Sequence, residues 1–117
     1  MDLNLSKFII YKQMSKIKVK HVASKDEWAK PKDGSNKWIE YWQKYSGYQL
    51  KDFCRDCHCK ISEDNPFVGA HVKKVGSIDK NIYIVPTCDE CNKKGRFDSH
   101  EFYCDESILV PANKNNI

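Results

Sequence analysis

The sequence has no long apolar run. Nothing in its 117 residues approaches the roughly 20 consecutive apolar residues of a membrane span. The longest early apolar run, Phe8-Ile9-Ile10-Tyr11, falls short of the core of a secretory signal, which needs about 7–15 residues. No membrane partner is therefore expected, and the cytoplasm is the expected location. Arginine is scarce: of twenty basic residues only Arg55 and Arg96 are Arg. Arg is the usual reader of base edges, whereas Lys meets phosphates as a point charge. That scarcity argues against base-specific recognition and for backbone contact with any nucleic acid. There is no internal repeat and no low-complexity segment, which excludes solenoids and arrays. Length alone excludes a large multi-domain enzyme.

What is present is globular in character: 40% hydrophobic and 31% charged residues, in a chain the size of one domain. A core this small often needs a staple. The formal charge of +4 is unevenly spread. Residues 1–51 carry eleven lysines against five acids, or +6, and residues 52–117 carry −2. A polyanionic partner would meet mainly the first half.

Six cysteines supply the staple. Without an export signal, Cys-x-x-Cys pairs more often bind metal than form disulfides. Cys54-Arg-Asp-Cys57 and Cys88-Asp-Glu-Cys91 are two such pairs, with 30 residues between them. Two such knuckles can complete a tetrahedral four-thiolate zinc site with bonds of about 2.3 Å. His58 and Cys59 offer competing ligands, since Cys57-x-Cys59 could replace the first pair. The symmetry of the two pairs favours Cys54 and Cys57. Cys104 is expected to be a free or packed thiol.

Along the chain, residues 1–16 read as a flexible extension, with Met14 an alternative start to Met1. Residues 17–112 read as one zinc-binding domain, and 113–117 as a polar tail. Lys16 to Lys20 alternates like an edge strand. Ser24-Lys-Asp-Glu27 has capping-box spacing for a short helix ending before Pro31. Lys32 to Asn36 is a turn. Trp38, Tyr41, Trp42 and Tyr45 recur at helical spacing, with Gly47 placed to end the helix, and this stripe is read as core. Residues 67–75 read as a strand and 76–81 as a hairpin loop. Residues 82–86 are the returning strand, which Pro86 ends. A helix is expected to begin near Cys88 and to stop or break at Gly95. A last short strand is expected in 106–111. In the first strand of the hairpin, Val68, Ala70 and Val72 share one face; Phe67, Gly69, His71, Lys73 and Val75 share the other. The order is knuckle, β-hairpin, knuckle at a helix start, which is that of a treble-clef zinc module. The expected class is α+β, a small zinc-bound treble-clef ββα module with an added N-terminal helical region.

Cys54-x-x-Cys57, Gly69-Ala-His71-Val, Asn81 and Pro86-Thr-Cys88-x-x-Cys91-Asn92 together resemble the HNH endonucleases, in particular their zinc-stapled branch. The resemblance covers roughly residues 50–95. It implies that His71 is the general base, that Asn81 orients it, and that Asn92 is a metal ligand or stands in for the third motif residue. It further implies Mg²⁺ or another divalent ion at a catalytic site, apart from the structural Zn²⁺. In that family the residue before the strand histidine is usually Asp or His and ligates this ion. Here it is Ala70, so the chain resembles a degenerate member, and a catalytic ion would lean on Asn92 and a distant residue such as Asp98 or His100. Lys73, Lys74, Lys93, Lys94 and Arg96 are the local candidates for phosphate contact.

The functional expectation is a zinc-stapled HNH-like domain that binds DNA or RNA mostly through phosphates, with endonuclease activity as its catalytic form. The alternative is a non-catalytic zinc module that binds a protein partner, such as a small phage or mobile-element regulator.

Overall fold

A computed structural model describes residues 16–23 and 30–112. The expected extension apart from Lys16, the Met14 start, the capping-box helix at 24–27 and the polar tail lie outside the described residues. Among the described residues, five strands and two helices follow one another: β1 (Lys16–His21), α1 (Trp38–Ser46), β2 (Phe67–Lys74), β3 (Tyr83–Cys88), α2 (Asp89–Asp98), β4 (Glu101–Asp105) and β5 (Val110–Pro111). A single 3-10 turn, Glu106–Ile108, separates β4 from β5. The class is α+β. The strands form one antiparallel sheet in the order β4-β1-β2-β3-β5.

β1 is a strand, but not an edge. It lies between β2 and β4, pairing Val19 with Lys74 on one side and with Phe102 on the other. The unforeseen neighbour is β4, whose Phe102 and Cys104 are buried while Glu101, Tyr103 and Asp105 are exposed. That alternation gives Ile17 and Val19 apolar partners across the strand. β3 runs through Pro86 to Cys88 rather than stopping at the proline. A proline is admitted there because β5 covers only Tyr83 and Ile84, which leaves the later part of β3 an edge among the described residues.

The aromatic stripe of α1 is core, as its spacing predicts. Tyr41 and Trp42 are buried, and Trp38 and Tyr45 pack against the cluster that also holds Val72, Ile84, Val85, Phe102 and Val110. Trp42 Nε1 donates to the Ile108 carbonyl at 2.7 Å, and the Tyr41 hydroxyl donates to the Pro111 carbonyl. These two bonds tie the helix to the 3-10 turn and to β5, and satisfy the polar atoms that such large side chains bring inside. Gly47 closes α1 in the left-handed conformation, at φ 73°.

The two helices sit on opposite faces of β2. A Cβ on Gly69 would fall 2.6 Å from the backbone of Trp38, so Gly69 lets the start of α1 lie directly on the strand. His71, two residues on, shares that face, and its ring meets the Trp38 ring edge-on with centroids 4.7 Å apart. Val72 points the other way, as does its cross-strand partner His21. On that side α2 packs against the sheet, with Gly95 over the His21 ring. Gly95 therefore does not stop the helix, which continues to Asp98.

Candidate metal centre

The first knuckle is a tight turn between Phe53 and Lys60, which face each other in an isolated bridge. Cys54 N–H donates to the Cys59 carbonyl at 2.9 Å, and His58 N–H to the Cys54 carbonyl at 3.0 Å. His58 takes the left-handed conformation, at φ 63°, and its side chain is exposed. The second knuckle is built where β3 becomes α2: Cys88 ends the strand and caps the helix, and Cys91 lies in its first turn. Pairing of Phe67 with Cys88 brings this helix start to the end of the hairpin nearest the first knuckle.

The sulfurs of Cys54, Cys57, Cys88 and Cys91 all lie within 4.8 Å of one another. Bonds of about 2.3 Å to a tetrahedral ion require sulfur–sulfur edges of about 3.8 Å. The Cys57–Cys88 edge is 3.9 Å. Backbone N–H groups already point at the sulfurs. Asp56, Cys57 and Cys88 donate to Cys54 Sγ at 3.3, 3.5 and 3.2 Å, and Cys91 donates to Cys88 Sγ at 3.4 Å. Such donors favour the charged sulfur. Burial pushes the Cys54 and Cys91 thiols up, and in Cys91 the neighbouring Cys57 and Cys88 push the same way. Burial also acts on Cys57, but its contacts with Cys59, Cys91 and Cys54 outweigh it and bring that thiol down to about 7. Several thiolates packed this closely resist ionising together, and a divalent cation among them removes that resistance. The four cysteines could therefore hold a metal ion, and their spacing suits a soft, tetrahedral one.

Cys59 lies beside this group but not within it. Its thiol interacts with Cys57 and Cys88 and, with burial adding to this, is pushed up to about 12, while Asn65 Nδ2 approaches its sulfur at 3.9 Å. The choice left open by the Cys54–Cys59 run is thus resolved in favour of Cys54 and Cys57. Cys104 is a buried thiol on β4.

A charged cluster that sequence reasoning missed stands next to the first knuckle. The Asp56 carboxylate lies between His21 and His100, at 3.1 Å from Nε2 of the first and 2.9 Å from Nε2 of the second. Its side chain is 5% exposed, and that of His21 is wholly buried. Burial alone would raise the Asp56 pKa, but the two imidazoles reverse this and hold it low. One carboxylate thereby ties the knuckle to β1 and to the α2–β4 turn. No spacing in the sequence announces it, because its members are 35 and 44 residues apart.

The expected catalytic residues are spread out. His71 is 6% exposed on the α1 face of β2. Burial, with Arg96 adding to it, pushes its imidazole down to about 4. Asn92 lies in the first turn of α2, over the other face. Asn81 is exposed in the β2–β3 loop, where its N–H donates to Asp79. Between Asn81 and Asn92 runs the whole of β3, about 17 Å of strand. His100 bonds Asp56, and the Asp98 carboxylate accepts the N–H of His100. Among the described residues, the four cysteines are the one group of His, Cys, Asp and Glu spaced to hold a metal ion. Of the basic candidates, Lys74 pairs with Asp79 and Glu106, and Lys93 pairs with Asp89. Lys73, Lys94 and Arg96 are exposed. No described helix is long and apolar enough to cross a membrane.

Compared with family models, with curated proteins and with solved structures, the chain matches none.

Proposed function

We propose that this chain is a treble-clef domain of HNH-like type, stapled by one structural Zn²⁺ on Cys54, Cys57, Cys88 and Cys91, that binds nucleic acid through its phosphates. The observation that carries this reading is the cysteine cluster itself: four sulfurs all within 4.8 Å of one another, on two knuckles joined by a β-hairpin that runs straight into a helix. A closed four-thiolate site leaves no position for water, so its metal is structural and not hydrolytic. Binding without cutting is favoured over endonuclease chemistry by two features. Ala70 offers no ligand beside His71, and His71 is covered by Trp38, so it cannot reach a water attacking a phosphate.

The test uses the purified full chain. Elemental analysis should find one zinc per chain. Anisotropy with labelled DNA and RNA should give an affinity that falls steeply with salt, as counterion release requires. A zinc-loaded protein that binds no nucleic acid at low salt would sink the reading. So would plasmid cleavage in Mg²⁺, Mn²⁺ or Ni²⁺ that is abolished in His71→Ala, because the site would then be catalytic.

A further inference from the structure

β1 alternates strictly. Ile17, Val19 and His21 point toward α2 and the core, so Lys16, Lys18 and Lys20 point to the opposite face. α1 packs on β2 and β3, while Lys16 of β1 and Glu101, Tyr103 and Asp105 of β4 are exposed. The register says what lies beside each lysine. Lys20 stands between Lys73 and Glu101, Lys18 beside Tyr103, and Lys16 opposite Asp105. Val75, whose N–H donates to the Lys18 carbonyl at 3.0 Å, completes the row on the β2 side. Tyr103 is 61% exposed and Val75 37%.

Three features of this face are not what a solvated sheet surface requires. First, Lys20 and Lys73 are direct cross-strand partners, and like charges so placed are destabilising. Second, the successive lysines of β1 recur about every 6.8 Å, in one straight line along a single strand. Third, a large aromatic ring lies open in the middle, with Lys18 Nζ 5.4 Å from its centre. Among the described strand residues of this face, the acids lie on β4: Glu101, which meets Lys18 at 3.8 Å, and Asp105. The side chains of the Lys18–Glu101 pair are 40% and 44% exposed, so the pair binds weakly and can be exchanged for a phosphate.

We infer that the open face of β4, β1 and β2 binds a single strand of nucleic acid. Its phosphates follow Lys16, Lys18, Lys20 and Lys73, and one base stacks on Tyr103. The inference rests on the nucleic-acid reading above and adds the surface and the strandedness. A single line of cations fits one phosphate backbone. An exposed ring gains stacking only from an unpaired base, which a duplex does not offer.

The experiment measures anisotropy of the zinc-loaded full chain with labelled 12-nucleotide single-stranded DNA, single-stranded RNA and the corresponding duplex, across a salt series. Single strands of either sugar should bind more tightly than duplex. Lys20→Gln with Lys73→Gln should lower the salt slope by about 1.4, near 0.7 per phosphate contact. Tyr103→Ala should weaken single-strand binding about 5- to 150-fold, and Tyr103→Phe should restore it. Zinc content and the unfolding midpoint of each variant report on folding separately. Wild-type binding that survives both sets of substitutions overturns the inference and leaves the nucleic-acid reading standing. Tighter binding to duplex, or the loss appearing instead in Lys93→Gln with Lys94→Gln, overturns it too. Absence of binding to every probe at low salt removes both together.

Discussion

Replacing Gly95 by alanine has a sign that helix propensity gets wrong. Gly95 is an interior position of α2 with no left-handed φ, and in such a place alanine ordinarily stabilises by about 1 kcal/mol. Here the added Cβ would fall 2.6 Å from His21 Nδ1 and closer still to Cγ and Cδ2. That ring is not a flexible end that can swing away. It is wholly buried, its Nε2 is held by Asp56, and it packs against Phe102 with centroids 5.2 Å apart. Forcing one extra carbon into such a site costs about 1–3 kcal/mol. Moving the ring also loosens a bond to a carboxylate worth about 1.5–3 kcal/mol. Set against the propensity gain, the expected net loss is about 1.5–5 kcal/mol. Urea unfolding of the zinc-saturated protein measures it. The same substitution in a His21→Ala background, where the ring is gone, should recover the ordinary gain of about 1 kcal/mol. A Gly95→Ala protein as stable as the wild type would refute the packing argument, and so would one whose loss is unchanged when His21 is removed.

Acid should weaken the fold through His71. Its imidazole is held near pKa 4 against an ordinary 6.5, so between these values the unfolded chain binds a proton that the folded chain refuses. The resulting stability, about 3 kcal/mol, is present above pH 6.5 and lost as pH falls toward 4. Stability of wild type and His71→Gln, compared at each pH from 7 to 5 with zinc in excess, should converge as pH falls, and a constant difference would contradict the assignment. At the metal centre, Cys91→Ala should abolish stoichiometric zinc binding and cooperative unfolding of residues 54–98, whereas Cys59→Ala should retain one zinc per chain by elemental analysis. The contrast follows from the proposed zinc site, which uses four sulfurs, not five; structural zinc sites in small peptides contribute apparent values of about 10–16 kcal/mol to folding.

The parts of this fold that were legible in the sequence are the parts with local causes. The α1 stripe is visible because helical spacing and the Gly47 stop lie within ten residues of each other. The hairpin and both knuckles are visible for the same reason, and so is the sharing of a face by Gly69 and His71. What was not legible depends on partners far along the chain. Lys16–Lys20 looks like an edge because nothing near it shows that Phe102 and Cys104 supply a second neighbour. β4 itself alternates cleanly, so its signal was present in Phe102, Tyr103 and Cys104 but too short to stand out. Gly95 reads as a helix stop until the His21 ring is seen beneath it. At the site, spacing selects the four cysteines. No spacing could reveal that Trp38 covers His71, or that Asp56 is gripped by histidines from two distant strands' ends.

The position of β1 also sets an order of events in time. The knuckles, the hairpin and α2 lie within residues 54–98, so metal capture closes only short loops. β1 pairs on one side with β2 and on the other with β4, as far along the chain as Lys16 from Asp105. Closing a loop of that length precedes any reward from its contacts, which makes such pairing the slow part of assembly. By the same reasoning the hairpin and its knuckles are expected to form first and to offer the edge of β2 as a template. β1 adds to it, and β4 can join only after β1 is in place. Contact order therefore predicts that the two histidines reach the Asp56 carboxylate late in folding, with the pairing of β1 and β4, after the knuckles have met.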